Sequence, residues 1–268
     1  MPFGQFNDLV LHYEENGPAG APAIVFANSL GTDLRIWDGV VARLGSALRL
    51  LRYDLRGHGL SEAPPSPYAL DDHVGDLTVL MDSRGIKNAL LVGLSVGGMI
   101  AMALANRRAD LVRALALCDT AHQIGTREMW DARIAAVRQG GIASIADAVL
   151  QRWFTAEFRA ARPAELAGYR NMLTRMPVEG YVGTCATVRD ANLTDIAGKL
   201  ALPVLCLVGD EDGATPPGLV EDMARRIPNS SLHVIESCGH IPCLEKPDEL
   251  AQLILAFISK HLKENSHV

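Results

Sequence analysis

The stretch Ala89-Leu90-Leu91-Val92-Gly93-Leu94-Ser95-Val96-Gly97-Gly98-Met99-Ile100-Ala101-Met102-Ala103-Leu104-Ala105 decides the fold. No charge falls in these 17 residues, which puts the run at the lower edge of a membrane span. Gly93, Ser95, Gly97 and Gly98 interrupt it, however, and the run reads as a buried strand turning sharply into a buried helix. Gly93 to Gly97 match the pattern GxSxG at that turn. A serine there sits on a strained bend with its hydroxyl presented outward, and small neighbours let the backbone fold beneath it. GxSxG alone is a common accident of glycine-rich turns. Its position directly after a strand and directly before a helix is what makes Ser95 a candidate nucleophile.

Working outward, short apolar runs bounded by Gly, Pro, Asn or Asp recur at Ala23 to Ala27, Leu48 to Tyr53, Ala114 to Cys118, Val204 to Val208 and Leu232 to Ile235. Amphipathic segments at Asp71 to Arg84, Leu219 to Ile227 and Pro247 to Leu262 lie between or after them. Strands spaced by helices need crossover connections, so the expectation is a mostly parallel sheet with helices on both faces. The rhythm breaks once. His122 to Asp195 offers helical patterns and no strand, which predicts a helical cap at 122–195 inserted into an α/β core of 1–121 and 196–268. The polar tail from Lys263 is expected to fray.

Composition narrows the function. At 268 residues the chain suits one large domain or a domain with an insertion, since domains usually run to about 100–200 residues. With 25 Lys+Arg against 31 Asp+Glu, a net of -6 and no basic run, nucleic acid and anionic membranes are poor partners. Five dispersed cysteines, Cys118, Cys185, Cys206, Cys238 and Cys243, form no CxxC pair and no zinc-ligand spacing, so a reducing, cytoplasmic setting and no metal are expected. Met1-Pro2-Phe3-Gly4 shows neither a basic nor an apolar signal region, and no secretory leader is expected.

A serine hydroxyl needs a base, and the base needs a group that holds its tautomer. In the elbow architecture the chain order is Ser, then Asp or Glu, then His. That order removes His12, His58 and His73, which precede the serine, and His122 is set aside with them. Of the later histidines, His233 falls inside a strand, and His261 and His267 belong to the C-terminal helix and tail. His240 lies in Ser237-Cys238-Gly239-His240, just past a strand end, where open α/β sheets put their ligands. The acid should follow the preceding strand, where Asp210, Glu211 and Asp212 compete, and Asp212 has the reach to stand over the strand end. Backbone donors for an oxyanion should come from Val96, next after the serine, and from the loop Asn28-Ser29-Leu30-Gly31-Thr32-Asp33. The turn Asp54 to Ser61 reads as a structural strand exit, with His58 part of it.

Taken together, the residues resemble the α/β-hydrolase superfamily over nearly the whole chain: the DxRGxGxS turn at Asp54 to Ser61, the GxSxG elbow, Asp212 to Pro216, and His240 followed by Glu245 and Pro247. Asn28 to Asp33 with Trp37, Gly93 to Met99, Arg152-Trp153-Phe154-Thr155 and Gly180 to Ala186 are similar to the 3-oxoadipate enol-lactonase group of aromatic-compound catabolism. The resemblance implies a triad of Ser95, Asp212 and His240, an oxyanion hole from the N–H groups of Leu30 and Val96, and a carboxylated enol lactone as substrate, with no cofactor. Val96 departs from the methionine common in that group, which leaves the backbone donor in place and alters the pocket. A carboxylesterase, a cofactor-free perhydrolase and a non-enzymatic receptor on the same fold remain alternatives.

An anionic lactone entering an acidic protein needs a local cation. Between His122 and Asp195 there are nine arginines, no lysine and eight acids. Most such arginines pair with nearby carboxylates on solvated helix faces. Trp130 and Arg133 are three apart on one helical face and Trp153 follows Arg152, so Arg133 with Trp130 and Trp153 is the expected substrate-binding lining.

Overall fold

The computed structural model describes residues 2–6 and 8–261. Eight strands form one sheet: β1 (Phe3–Phe6), β2 (Leu9–Asn16), β3 (Ala23–Ala27), β4 (Arg49–Tyr53), β5 (Ala89–Leu94), β6 (Val112–Cys118), β7 (Val204–Gly209) and β8 (Ser230–Ile235), in the order β1-β2-β4-β3-β5-β6-β7-β8. From β4 through β8 every pairing is parallel. Strands buried on both faces carry no polar alternation, and β5 and β7 are buried at every residue. This is the α/β-hydrolase fold expected above.

Two strands were not legible in the sequence. β1 and β2 form an antiparallel hairpin that adds to the sheet through β4. Their pattern is broken by His12, Glu14, Glu15 and Asn16, and only pairing with Tyr53 to Leu50 gives the polar half of β2 a partner. At the far edge, His233 is indeed in a strand, yet Leu232 and Val234 of β8 are exposed.

The chain leaves β3 toward β4 and returns on the other side of β3 to form β5. The order therefore reverses between β3 and β5, the place where open α/β sheets open a crevice at the carboxyl ends of their strands. The loop holding Leu30 and the turn holding Ser95 flank that crevice. Helix Val96–Arg107 leaves the turn and is buried through Ala105. Between Cys118 and Val204 the regular elements are all helical among the described residues, chiefly Arg127–Gly140, Ala146–Trp153, Pro163–Thr174 and Val178–Asp190. The first and last of these pack on each other. Helix Pro247–His261 closes the described part, and the tail from Lys263, with His267, lies outside the described residues.

Candidate active site

The turn after β5 is as tight as the motif requires. Ser95 has φ 56° and ψ −119°, a positive φ that a non-glycine residue rarely adopts and that persists where the surroundings enforce it. They do so through hydrogen bonds: the Ser95 N–H donates to Cys118 O at 3.0 Å, and the Thr120 hydroxyl donates to Ser95 O at 2.6 Å. Glycine is obligatory beside it. A Cβ on Gly97 would stand 2.2 Å from Ala27 O, and one on Gly93 2.4 Å from Gly97 O.

Two loops bring Asp212 and His240 together. His240 Nδ1 lies 2.9 Å from Asp212 Oδ2, and both side chains are almost fully buried. The carboxylate accepts further donors from Ala214 N (2.7 Å), Thr215 N (3.0 Å) and Thr215 Oγ1 (2.6 Å). Burial alone would push this carboxyl up, but the His240 ring, Thr215 and the Ala214 amide outweigh it and hold it down at about 2. It is thus an anion, and Nδ1 is the donor, which leaves Nε2 as the free acceptor. Asp210 and Glu211 are exposed, and Asp210 instead accepts from the Cys238 N–H at 3.1 Å.

The expected backbone donors are Val96, next after Ser95, and Leu30, which lines the same cavity as Ser95. Val96 is the first residue of its helix, where no preceding turn offers its N–H an acceptor. In the β3 loop the Gly31 N–H donates to His58 Nε2 at 3.2 Å and Thr32 N–H to Ser29 O at 3.3 Å, while the Leu30 N–H has no acceptor among the described residues. The loop is held from below by Asn28, which receives Trp37 Nε1–H and donates to Tyr53 O, each at 2.8 Å. Burial pushes His58 down to about 4, so it is a neutral ring that accepts from Gly31 and donates to Arg56 O at 3.0 Å. Asp54 likewise serves the loops, accepting from Leu34 N, Leu60 N and His12 Nδ1 at 2.7 to 2.8 Å.

These groups open onto a cavity of about 280 Å³ whose lining includes Leu30, Ser95, His240, Trp130, Arg133 and Trp153. That is near the lower end of the roughly 300–1,000 Å³ typical of ligand sites and suits a small substrate. Trp130 is fixed by Nε1–H donating to Ile124 O at 2.6 Å, and the Arg133 guanidinium lies over its ring at 4.9 Å. Arg127, Arg162, Arg170 and Arg189 pair with carboxylates. Arg133 and Arg152, both on the cavity wall, have no ion pair among the described residues. Tyr181 and Met129 also line the cavity; sequence reasoning missed them because nothing in the pattern of Val178–Asp190 or Arg127–Gly140 separates pocket-facing from core-facing positions.

Asp119, at the end of β6, was missed as well. It is fully buried, and ligand atoms of Asp119, Asp212 and His240 all lie within 4.8 Å of one another. Asp212 already spends its oxygens on four donors, so this cluster is not an open metal cage. A larger cleft of about 710 Å³ runs between the His12–Asp54 pair and helix Pro163–Thr174, and its lining includes no serine or cysteine. All five cysteines are free and buried, and among the described residues no helix is long and apolar enough to cross a membrane.

Known proteins share this fold. The family described as "Alpha/beta hydrolase family" matches residues 24–253. The chain is 31% identical to 3-oxoadipate enol-lactonase 2 of Acinetobacter baylyi over 94% of each sequence. A crystal structure of the enol-lactonase from Burkholderia xenovorans LB400 superimposes with a TM-score of 0.93 at 38% identity, covering 96% of this chain and 100% of that one. A thermophilic esterase from Thermogutta terrifontis gives 0.88 at 30% identity over 94% of each chain.

Proposed function

Because the chain belongs to the alpha/beta hydrolase family, we propose that it is a serine hydrolase that opens a small carboxylated enol lactone, 3-oxoadipate enol-lactone being the first candidate. The observation that carries this reading is the single cavity shared by Ser95, His240 and the unpaired guanidinium of Arg133. In this reading residues 122–195 form a cap that supplies the cation, and residues 1–121 and 196–268 supply the chemistry.

His240 Nε2 takes the proton of Ser95 Oγ as Oγ attacks the lactone carbonyl, and Asp212 stabilises the imidazolium that forms. The N–H groups of Leu30 and Val96 receive the developing oxyanion, where one well-placed donor contributes roughly 3–4 kcal/mol. Collapse breaks the ring C–O bond and expels an enolate oxygen, whose delocalised charge makes it a better leaving group than a simple alkoxide. The imidazolium returns the proton, and tautomerisation to the ketone opposes reclosure. Water then enters, gives a proton to His240 as its oxygen attacks the ester carbonyl, and the imidazolium returns that proton to Ser95 Oγ as the acid leaves. Throughout, Arg133 holds the substrate's spectator carboxylate by a charge-assisted, planar contact.

The experiment is kcat/KM on 3-oxoadipate enol-lactone beside a neutral ester of similar size. A preference for the lactone of tenfold or more is expected. Equal or reversed preference returns the site to the esterase reading, which the likeness to the Thermogutta terrifontis esterase also supports.

A further inference from the structure

Two carboxylates, not one, sit beside His240. Asp119 follows β6 directly, with its N–H donating to Leu207 O at 2.8 Å and its Oδ1 accepting from the Gly209 N–H at 2.9 Å. Those bonds hold it beneath the loop that carries Asp212. Its other oxygen, Oδ2, is buried with no hydrogen-bond partner among the described residues. An ionised carboxylate is acceptor-only, and a bare anionic oxygen without donors is among the costliest groups to bury.

The titratable groups around it are Asp212, His240, Glu245 and the thiols of Cys118, Cys238 and Cys243. None is a fixed cation. Two carboxylates sharing such a site cannot both ionise without a large penalty, and Asp212, with four donors, is the one arranged to carry charge. Burial, reinforced by Asp212, accordingly pushes the Asp119 carboxyl well above its ordinary range.

We propose that Asp119 is a neutral carboxylic acid at physiological pH, protonated on Oδ2, and that it acts as a positioning residue which leaves Asp212 the sole anion beside His240. The consequence is for the proton that Ser95 releases. With one anion at its side, the neutral ring keeps Nε2 free to accept, and its existing bond to Asp212 strengthens when it becomes imidazolium. A second full charge there would favour the protonated ring in advance, the form that cannot accept a proton. This role rests on reading Ser95, His240 and Asp212 as the catalytic triad, whereas the protonation of Asp119 does not.

The test uses Asp119→Asn, which keeps the shape, replaces O–H by an N–H donor, carries no charge, and tolerates the φ of 45° found here. Infrared difference spectra of wild type minus D119N at neutral pH should show a protonated-carboxyl carbonyl band. Folding of the wild type must take up a proton at Asp119 above the ordinary range of about 4, so the stability gap should widen in favour of D119N as pH rises from there. Neither readout needs turnover, and both stand if the lactone reading fails. On any ester the enzyme cleaves, D119N, uncharged like the protonated wild-type side chain, should leave the acid limb of the pH profile unmoved. Absence of the band, a stability gap flat with pH, or an acid limb displaced downward by about a unit, the effect of losing a nearby anion, each overturns the proposal. Asp119→Gly also suits the positive φ and gives the same infrared subtraction should D119N fail to fold.

Discussion

The main-chain N–H of His240 donates to the carbonyl oxygen of Trp153 at 2.8 Å. The residue that carries the candidate base is thereby tied to a residue of the cavity wall that closes helix Ala146–Trp153. Any shift of that wall is felt at the base.

Glu245 fastens the same junction. Its Oε1 accepts from the Gly239 N–H at 3.0 Å, and its Oε2 accepts from the Thr155 hydroxyl at 2.8 Å and the Thr155 N–H at 3.3 Å. Glu245→Leu leaves these donors unmet, at about 1–3 kcal/mol for each one left buried. It should lower Tm and reduce kcat/KM by about tenfold or more through misplacement of His240. Glu245→Gln retains acceptor capacity and should fall between. Thermal melts and initial rates on the three proteins decide it, and equal kinetics for Leu and wild type would refute the coupling.

Ser95 should be the residue that reacts covalently. An organophosphonate or sulfonyl fluoride is expected to label Ser95 stoichiometrically, since one activated hydroxyl is set apart from the rest by its base. Peptide mass mapping checks this, and Ser95→Ala should keep the fold and lose nearly all turnover.

Among the three neighbouring acids, Asp212→Asn should cost orders of magnitude in kcat, whereas Asp210→Asn should change it little. Asp212 also makes a pH prediction. Its folded value of about 2 lies below the unfolded value of about 3.9, so its contribution, on the order of 2 kcal/mol, is present above about pH 4 and is lost as pH falls toward 2. The stability advantage of wild type over D212N should shrink across that window in acid titrations followed by circular dichroism.

Arg133→Met should lower kcat/KM for the carboxylated lactone by tenfold or more, from roughly 1.5–3 kcal/mol of charged hydrogen bonding, and barely alter a neutral ester. Arg152→Met provides the comparison, since Arg152 also faces the cavity unpaired but is more exposed, and its effect should be smaller. Equal losses on both substrates would make Arg133 a support for Trp130 and not a reader of charge.

By itself the sequence determined the elements whose signals are local. The all-apolar run into Gly93-Leu94-Ser95-Val96-Gly97 specifies a buried strand, a sharp turn and a buried helix within one window, because Gly93 is needed by Gly97 only four residues on, although the need for Gly97 itself is set by Ala27 across the sheet. The order of Ser95, Asp212 and His240 along the chain was legible for the same reason: each follows its own apolar strand. What tertiary structure alone decided is which of several equivalent residues meet. Asp210, Glu211 and Asp212 are chemically alike in sequence, and only the packing of the β7 and β8 loops buries Asp212 against His240. Asp119 joins them because β6 pairs with β7 across more than 80 residues of helices, a separation over which no local pattern carries information. The nine arginines of 122–195 differ only in which way their helices face, and helix register against the core, a matter of side-chain packing, left Arg133 on the cavity wall and paired Arg189 with Asp131 and Asp190 on the surface.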